Sequence, residues 1–173
     1  MEIERKYLIE KEKIPFSLEG YHRRRIEQEY LCTAPVVRIR RDNDKFFLTY
    51  KSKGLMVREE YNLPLTEEAY CHLKEKADGR PIVKDRYMIP LSEGYDRDTR
   101  HNGRYDSDSD MKFLQNKDLY IELDFFKGNL EGLILAEVEF PDEETANHFI
   151  PPEWFGEDVT YSSKYHNSTL SLT

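Results

Sequence analysis

Charge that recurs at every second residue, in pairs that are mostly of like sign, constrains this chain more than any other feature. On a strand, residues i and i+2 share a face. Read that way, Glu2 and Glu4 lead to Lys6, Arg38 stands with Arg40, Lys51 with Lys53, and Arg58 with Glu60. Further along, Lys84 stands with Arg86, Glu122 with Asp124, and Glu137 with Glu139. The alternate positions carry Val37 and Ile39, Leu48 and Tyr50, Ile121, Leu123 and Phe125, then Ala136, Val138 and Phe140. The plain reading is a sheet with its charged face in water. Like charges side by side repel, however, so strands segregated into basic and acidic ones make a poor solvent surface. Basic strands match the oxygens of a polyanion, and acidic strands match hard divalent cations that bind the same oxygens. In a closed barrel the charged face would line a lumen filled by water, ions and ligand, with the apolar face outward under helices.

The remaining pattern is strand-rich. Strands are expected over Glu2–Ile9, Gln28–Thr33, Val36–Arg41, Phe46–Lys53, Met56–Leu63 and Ile82–Ile89, with Asp42-Asn43-Asp44 as a turn. Tyr120–Phe126 and Leu133–Phe140 read as an antiparallel pair across Lys127-Gly128-Asn129. Pro15–Gly20 reads as a short helix or turn. Thr66 can cap a helix whose apolar spacing is Ala69, Leu73 and Ala77 and which Gly79 can end. Asp142 can cap a second helix, stopped by Pro151-Pro152. The polar stretch 92–118 reads as a loop insertion in a single domain spanning 1–173. Its run Asp106-Ser107-Asp108-Ser109-Asp110 begins like a calcium loop but has Met111 and Lys117 where Gly and Glu are needed.

Bulk composition excludes several classes. No run of about 18 apolar residues is present, so no membrane-spanning helix is expected. The N-terminus Met1-Glu2-Ile3-Glu4-Arg5-Lys6 lacks the apolar stretch of a signal peptide. Cys32 and Cys71 fit reduced thiols, so a cytoplasmic location is expected. A net charge of -8 argues against general nucleic-acid binding but permits a local basic pocket. His22-Arg23-Arg24-Arg25 reads as a solvated turn, and Trp154-Phe155 as the packing of a chain corner.

The segment Glu2-Ile3-Glu4-Arg5-Lys6 resembles the E-x-E-x-K signature of the CYTH superfamily, the triphosphate tunnel metalloenzymes. The similarity continues through Gln28-Glu29-Tyr30-Leu31, Val37-Arg38-Ile39-Arg40, Leu48-Thr49-Tyr50-Lys51-Ser52-Lys53 and Arg58-Glu59-Glu60-Tyr61. It extends to Lys84-Asp85-Arg86-Tyr87, Glu122-Leu123-Asp124, Glu137-Val138-Glu139-Phe140 and the closing stretch 152–160. The short signature alone is weak; the ordered series is specific. The resemblance implies an α+β, mainly antiparallel β fold: an eight-stranded closed β-barrel tunnel with helices packed outside. It implies Mg²⁺- or Mn²⁺-dependent chemistry on triphosphate groups, inorganic triphosphatase among small bacterial members, adenylate cyclase or thiamine triphosphatase in others. Three departures stand out: the insertion is longer than the family pattern, Glu29 replaces a common Gly, and His166 stands where many relatives have Lys.

On this reading Lys6, Arg38, Arg40, Lys51, Lys53, Arg58, Lys84 and Arg86 hold phosphate oxygens, and Lys164 stands in for the missing C-terminal Lys. Glu2, Glu4, Asp124 and Glu139 bind metal, in a two-ion arrangement. Glu60, Glu122 and Glu137 are further ligands or partners of the lumen's cations. Glu4 or Glu139 accepts the proton of the attacking water. Tyr30 reaches the tunnel mouth or packs. Three other readings remain: a cyclase or organic triphosphate hydrolase on the same tunnel, a non-catalytic polyphosphate-binding module, and a β-sheet interaction protein with a charged exterior. A small-molecule triphosphate is the expected partner, and a homodimer is left open.

Overall fold

The computed structural model describes residues 1–95 and 116–173. Nine antiparallel strands form one sheet: β1 (Glu2–Leu8), β2 (His22–Thr33), β3 (Val36–Asp42), β4 (Lys45–Lys51), β5 (Val57–Arg58), β6 (Glu60–Leu65), β7 (Asp78–Pro90), β8 (Tyr120–Phe126) and β9 (Ile134–Glu139). Their spatial order is β5-β1-β9-β8-β7-β2-β3-β4-β6. The two ends of that order, β5 and β6, are consecutive in the chain and separated by Glu59 alone. One short segment thus pairs with β1 through Val57 and Arg58, then with β4 through Glu60 to Leu65.

That crossing corrects the expected strand count. Met56–Leu63 is not one strand, because its halves bond to opposite edges of the sheet. The barrel is nine-stranded and nearly closed rather than eight-stranded and closed. At the break, the Glu59 N–H donates to Ser52 Oγ at 3.0 Å and the Ser52 N–H to the Glu59 carbonyl at 3.0 Å. These bonds satisfy backbone groups that a bare edge would leave open.

Parity sets the two faces. Outward residues Ile3 and Tyr7 of β1, Ile121 and Leu123 of β8, and Ala136 and Val138 of β9 join one buried cluster with Phe149, Trp154 and Phe155. Trp154 Nε1 donates to the Gly94 carbonyl at 2.7 Å, so the chain corner expected there is a packed one. Burying each such aliphatic side chain contributes about 1.5–3 kcal/mol. A second cluster fills one end of the barrel. Ile82, Phe126 and Leu135 follow Lys84, Asp124 and Glu137 at period two, so the inward face changes there from charged to apolar. Leu170 from α3 (Asn167–Leu170) joins this plug.

The other helices are short. In α1 (Glu67–Lys74), the Ala69 N–H donates to Thr66 Oγ1 at 3.1 Å. In α2 (Glu143–Asn147), the Thr145 N–H donates to Asp142 Oδ1 at 2.6 Å. Both expected caps form, each worth about 1 kcal/mol. Helix α1 ends earlier than expected, since Gly79 belongs to β7, where a Cβ would sit 2.6 Å from the Ser171 carbonyl oxygen. Residues 15–20 form turns and bends rather than a helix, and a 3-10 turn covers Lys11–Lys13. The run His22–Arg25 is the start of β2, not a solvated turn. Most of the 92–118 stretch, with its calcium-loop-like run, lies outside the described residues.

Candidate active site

The inward charged faces enclose a cavity of about 260 Å³. Glu2, Glu4 and Lys6 reach it from β1, Arg38 and Arg40 from β3, and Lys51 from β4. Arg58 and Glu60 reach it from β5 and β6, Lys84 and Arg86 from β7, Glu122 from β8, and Glu137 and Glu139 from β9. With Arg24, the lining holds eight cationic side chains against six carboxylates. A protein of net charge -8 therefore carries a cation-rich interior.

Three predicted site residues fall elsewhere. Lys53 is exposed and lies past the end of β4, because the chain leaves the sheet after Lys51 ahead of Gly54. Lys164 is exposed, with its ammonium 5.1 Å from the centre of the Tyr165 ring. His166, at the start of α3, faces the cavity in its place. Asp124 has the expected parity but is wholly buried behind the cavity wall. It accepts from Lys84 Nζ and from Arg86, whose Nε and Nη2 lie 2.6 Å and 2.7 Å from its oxygens.

Sequence reasoning missed Arg24, Gln28 and Asn62 and gave His166 only as a departure from the family pattern; all four line the cavity. Arg24, Ile26 and Gln28 carried a signal at period two, hidden because the strand was taken to begin at Gln28. Asn62 follows Glu60 by the same rule. His166 had no periodic signal, since α3 is a single short turn. Tyr30 lines the cavity and is 1% exposed, beside Arg38.

Most lumen cations are held by carboxylates. Lys6 Nζ lies 2.9 Å from Glu137 and 3.4 Å from Glu4. Burial pushes the Lys6 ammonium down, but Glu137 and Glu4 outweigh it and hold its pKa above the usual value. Lys51 Nζ sits 2.6 Å from both Glu2 and Glu60. Arg86 reaches Glu137 at 2.6 Å and also pairs with Glu122. Burial and the neighbouring Arg86 push Lys84 down.

Arg38 and Arg40 differ. Among the described residues neither forms an ion pair, and the Nε of each is buried without a hydrogen-bond partner. Burial, together with Arg38 and Arg86, brings Arg40 down to about 10. An unpaired buried cation is costly unless a ligand completes it.

The acidic side shows the complementary imbalance. Burial, then Glu4, raises Glu2 to about 7. Burial, then Glu122, Glu60 and Glu4, raises Glu139, and among the described residues Glu139 forms no ion pair. Register places Glu4 opposite Glu139 and Glu122 opposite Glu137. Among the described residues no three metal-ligating groups are gathered closely enough to hold an ion as they stand. Glu4 and Glu137 are turned toward Lys6. Crowded carboxylate oxygens are nonetheless the donor set that hard divalent cations take, and Glu4 and Glu139 face each other across the β1–β9 register.

A CYTH domain model matches residues 1–97. An inorganic triphosphatase of Nitrosomonas europaea is 33% identical over 99% of this chain and 97% of its own length. One from Acetivibrio thermocellus is 35% identical over 78% of this chain and 70% of its own length. The crystal structure of an inorganic triphosphatase superposes with a TM-score of 0.63 at 32% identity, covering all of this chain and 95% of that one. Its barrel, its charged lumen and these matches together make the chain a member of the CYTH domain family.

Proposed function

We propose that this protein hydrolyses the terminal phosphoanhydride of inorganic triphosphate, with Mg²⁺ or Mn²⁺, inside the barrel cavity. The observation that carries this reading is the pair Arg38 and Arg40. Two guanidinium groups whose buried Nε atoms are unsatisfied face a cavity whose other cations are mostly held by carboxylates. A polyanion supplies the partners they lack, and a guanidinium fork suits phosphate oxygens. Two relatives that match over most of their length carry the name inorganic triphosphatase.

Phosphoryl transfer depends on positioning and charge neutralisation. Arg38 and Arg40 bind the phosphate chain from β3. Lys6, Lys51, Arg58, Lys84 and Arg86 surround it and exchange part of their carboxylate pairing for phosphate oxygens. Glu139, Glu4 and Glu2 would hold the divalent ions, which when bound supply charge neutralisation and a more acidic water. Glu139 accepts the proton of the attacking water. Among the described residues it forms no ion pair, whereas Glu4 lies 3.4 Å from Lys6. An apolar cluster fills one end of the barrel, and Arg24 and Arg40 line both the charged cavity and the wider space beside it.

A phosphate-release panel tests the assignment. With Mg²⁺ or Mn²⁺ present, tripolyphosphate should yield one orthophosphate and one pyrophosphate, well ahead of pyrophosphate, ATP and thiamine triphosphate as substrates. Faster turnover of ATP, or cyclic AMP as its product, would replace this reading with an organic triphosphate enzyme.

A further inference from the structure

The charged cavity opens at the Arg24–Arg40 end into a second, wider space of about 930 Å³, and both arginines line both spaces. The balance of charge changes at that throat. Arg24, Arg40 and Lys45 in the outer space face Asp42, Asp44 and Glu93, three against three. The inner lining has two more cations than carboxylates. The two shared arginines apart, six cations meet six carboxylates inside, whereas outside Lys45 alone meets Asp42, Asp44 and Glu93, and of these three Asp42 is held at the throat by Arg24. Arg24 Nε donates to Asp42 Oδ1 at 2.9 Å, and Arg24 Nη2 donates to Asp42 Oδ2. Asp42 is 7% exposed, and Arg24 outweighs burial to keep its carboxyl below the usual range. Arg24 Nη1 faces the Met88 sulfur at 3.8 Å, so each nitrogen of the guanidinium has a protein partner. Arg40, one position deeper, has no carboxylate partner among the described residues and lies over the Phe47 ring.

We propose that the Arg24–Asp42 pair selects substrate by chain length, admitting inorganic triphosphate and disfavouring longer linear polyphosphates. This rests on the triphosphatase reading above. Inside the throat, phosphoryl groups meet cations that need anions. A chain with a further unit emerges past Arg40 and meets a guanidinium already neutralised and the carboxylate that neutralises it. Like charge at that point raises the free energy of the longer complex, while a triphosphate seated within the cavity does not reach it. The two residues act on selectivity in opposite directions. Arg24 attracts the emerging unit, and Asp42 cancels that attraction.

The test compares kcat/KM for tetrapolyphosphate with that for tripolyphosphate in four full-length proteins: wild type, Asp42→Asn, Arg24→Gln and the double variant. Asp42→Asn frees Arg24 and should raise the tetra-to-tri ratio by about tenfold, the scale of one charge-assisted hydrogen bond. Arg24→Gln leaves Asp42 bare and should lower the ratio by a similar factor. The double variant, which removes both charges, should return to within about threefold of wild type, as expected when two effects oppose. Thermal unfolding of each variant shows that it is folded, and Arg24→Gln with wild type decides the sign if Asp42→Asn does not fold. Single variants that move the ratio the same way, or not at all, overturn the selector. Absence of tripolyphosphate turnover in the wild type instead overturns the triphosphatase reading, so the two failures are distinct.

Discussion

Arg86 grips Asp124 with two parallel hydrogen bonds, Nε to Oδ1 at 2.6 Å and Nη2 to Oδ2 at 2.7 Å, and Asp124 has no exposed surface. Lys84 donates to the same carboxylate. This fork fixes the two cations of β7 from β8, across the register pair Arg86–Asp124. Asp124 is therefore a positioning residue behind the cavity wall. Asp124→Asn leaves buried Lys84 without its carboxylate, while Arg86 keeps Glu122 and Glu137, and should cost about 3–5 kcal/mol of stability. Urea denaturation of the metal-free protein measures it; a loss below about 1 kcal/mol would mean that the fork is dispensable.

Arg40 predicts the reverse. It forms no ion pair among the described residues, and burial with Arg38 and Arg86 brings its pKa down to about 10, so its charge opposes folding in the absence of substrate. Arg40→Met should keep or raise ligand-free stability, by up to about 1 kcal/mol, while raising KM for tripolyphosphate by about tenfold or more. Thermal unfolding and steady-state kinetics on one preparation separate the two effects. A destabilised variant with wild-type KM would show that Arg40 serves the fold rather than the ligand.

His166 gives the metal-free protein a pH signature. Burial, then Lys6 and Arg58, lowers its pKa from 6.5 to about 4. The unfolded chain binds a proton at His166 between these values and the folded chain does not. The stability associated with His166 is therefore full above about pH 6.5 and is lost as pH falls toward about 4. The imidazole is only partly shielded, so the loss is discounted to the order of 1 kcal/mol. Glu2, whose pKa is raised, changes in the opposite sense, so the comparison must be wild type minus His166→Gln. That difference should shrink as pH falls through the window; a flat difference would place the imidazole in contact with solvent.

Much of this architecture could be read in the sequence because period two is local. Glu2, Glu4 and Lys6 need no tertiary information to share a face, and neither do Arg38 and Arg40. Depth is not local. Glu122 and Asp124 have the same parity, yet one lines the cavity and the other lies behind its wall, because Lys84 and Arg86 of β7 close over Asp124. Strand ends were equally hidden. Lys53 continues the pattern of Lys51, but the hydrogen-bonded register stops where Lys51 meets Glu60. The split at Glu59 follows from barrel closure, which no local pattern specifies. Arg24 was obscured by its neighbours, since in a run of three arginines only pairing with Arg86 across the sheet shows which one faces inward.

The most direct test of the central claim is orthophosphate release from tripolyphosphate as Mg²⁺ is titrated, for wild type and Glu4→Gln side by side. Glu4 lies opposite Glu139 in the register and within 3.4 Å of Lys6. The wild type should show saturable, chelator-sensitive release, and the variant should fold and lose about 100-fold or more of it. Equal release by the two proteins at every Mg²⁺ concentration, or release unaffected by chelator, would contradict the account.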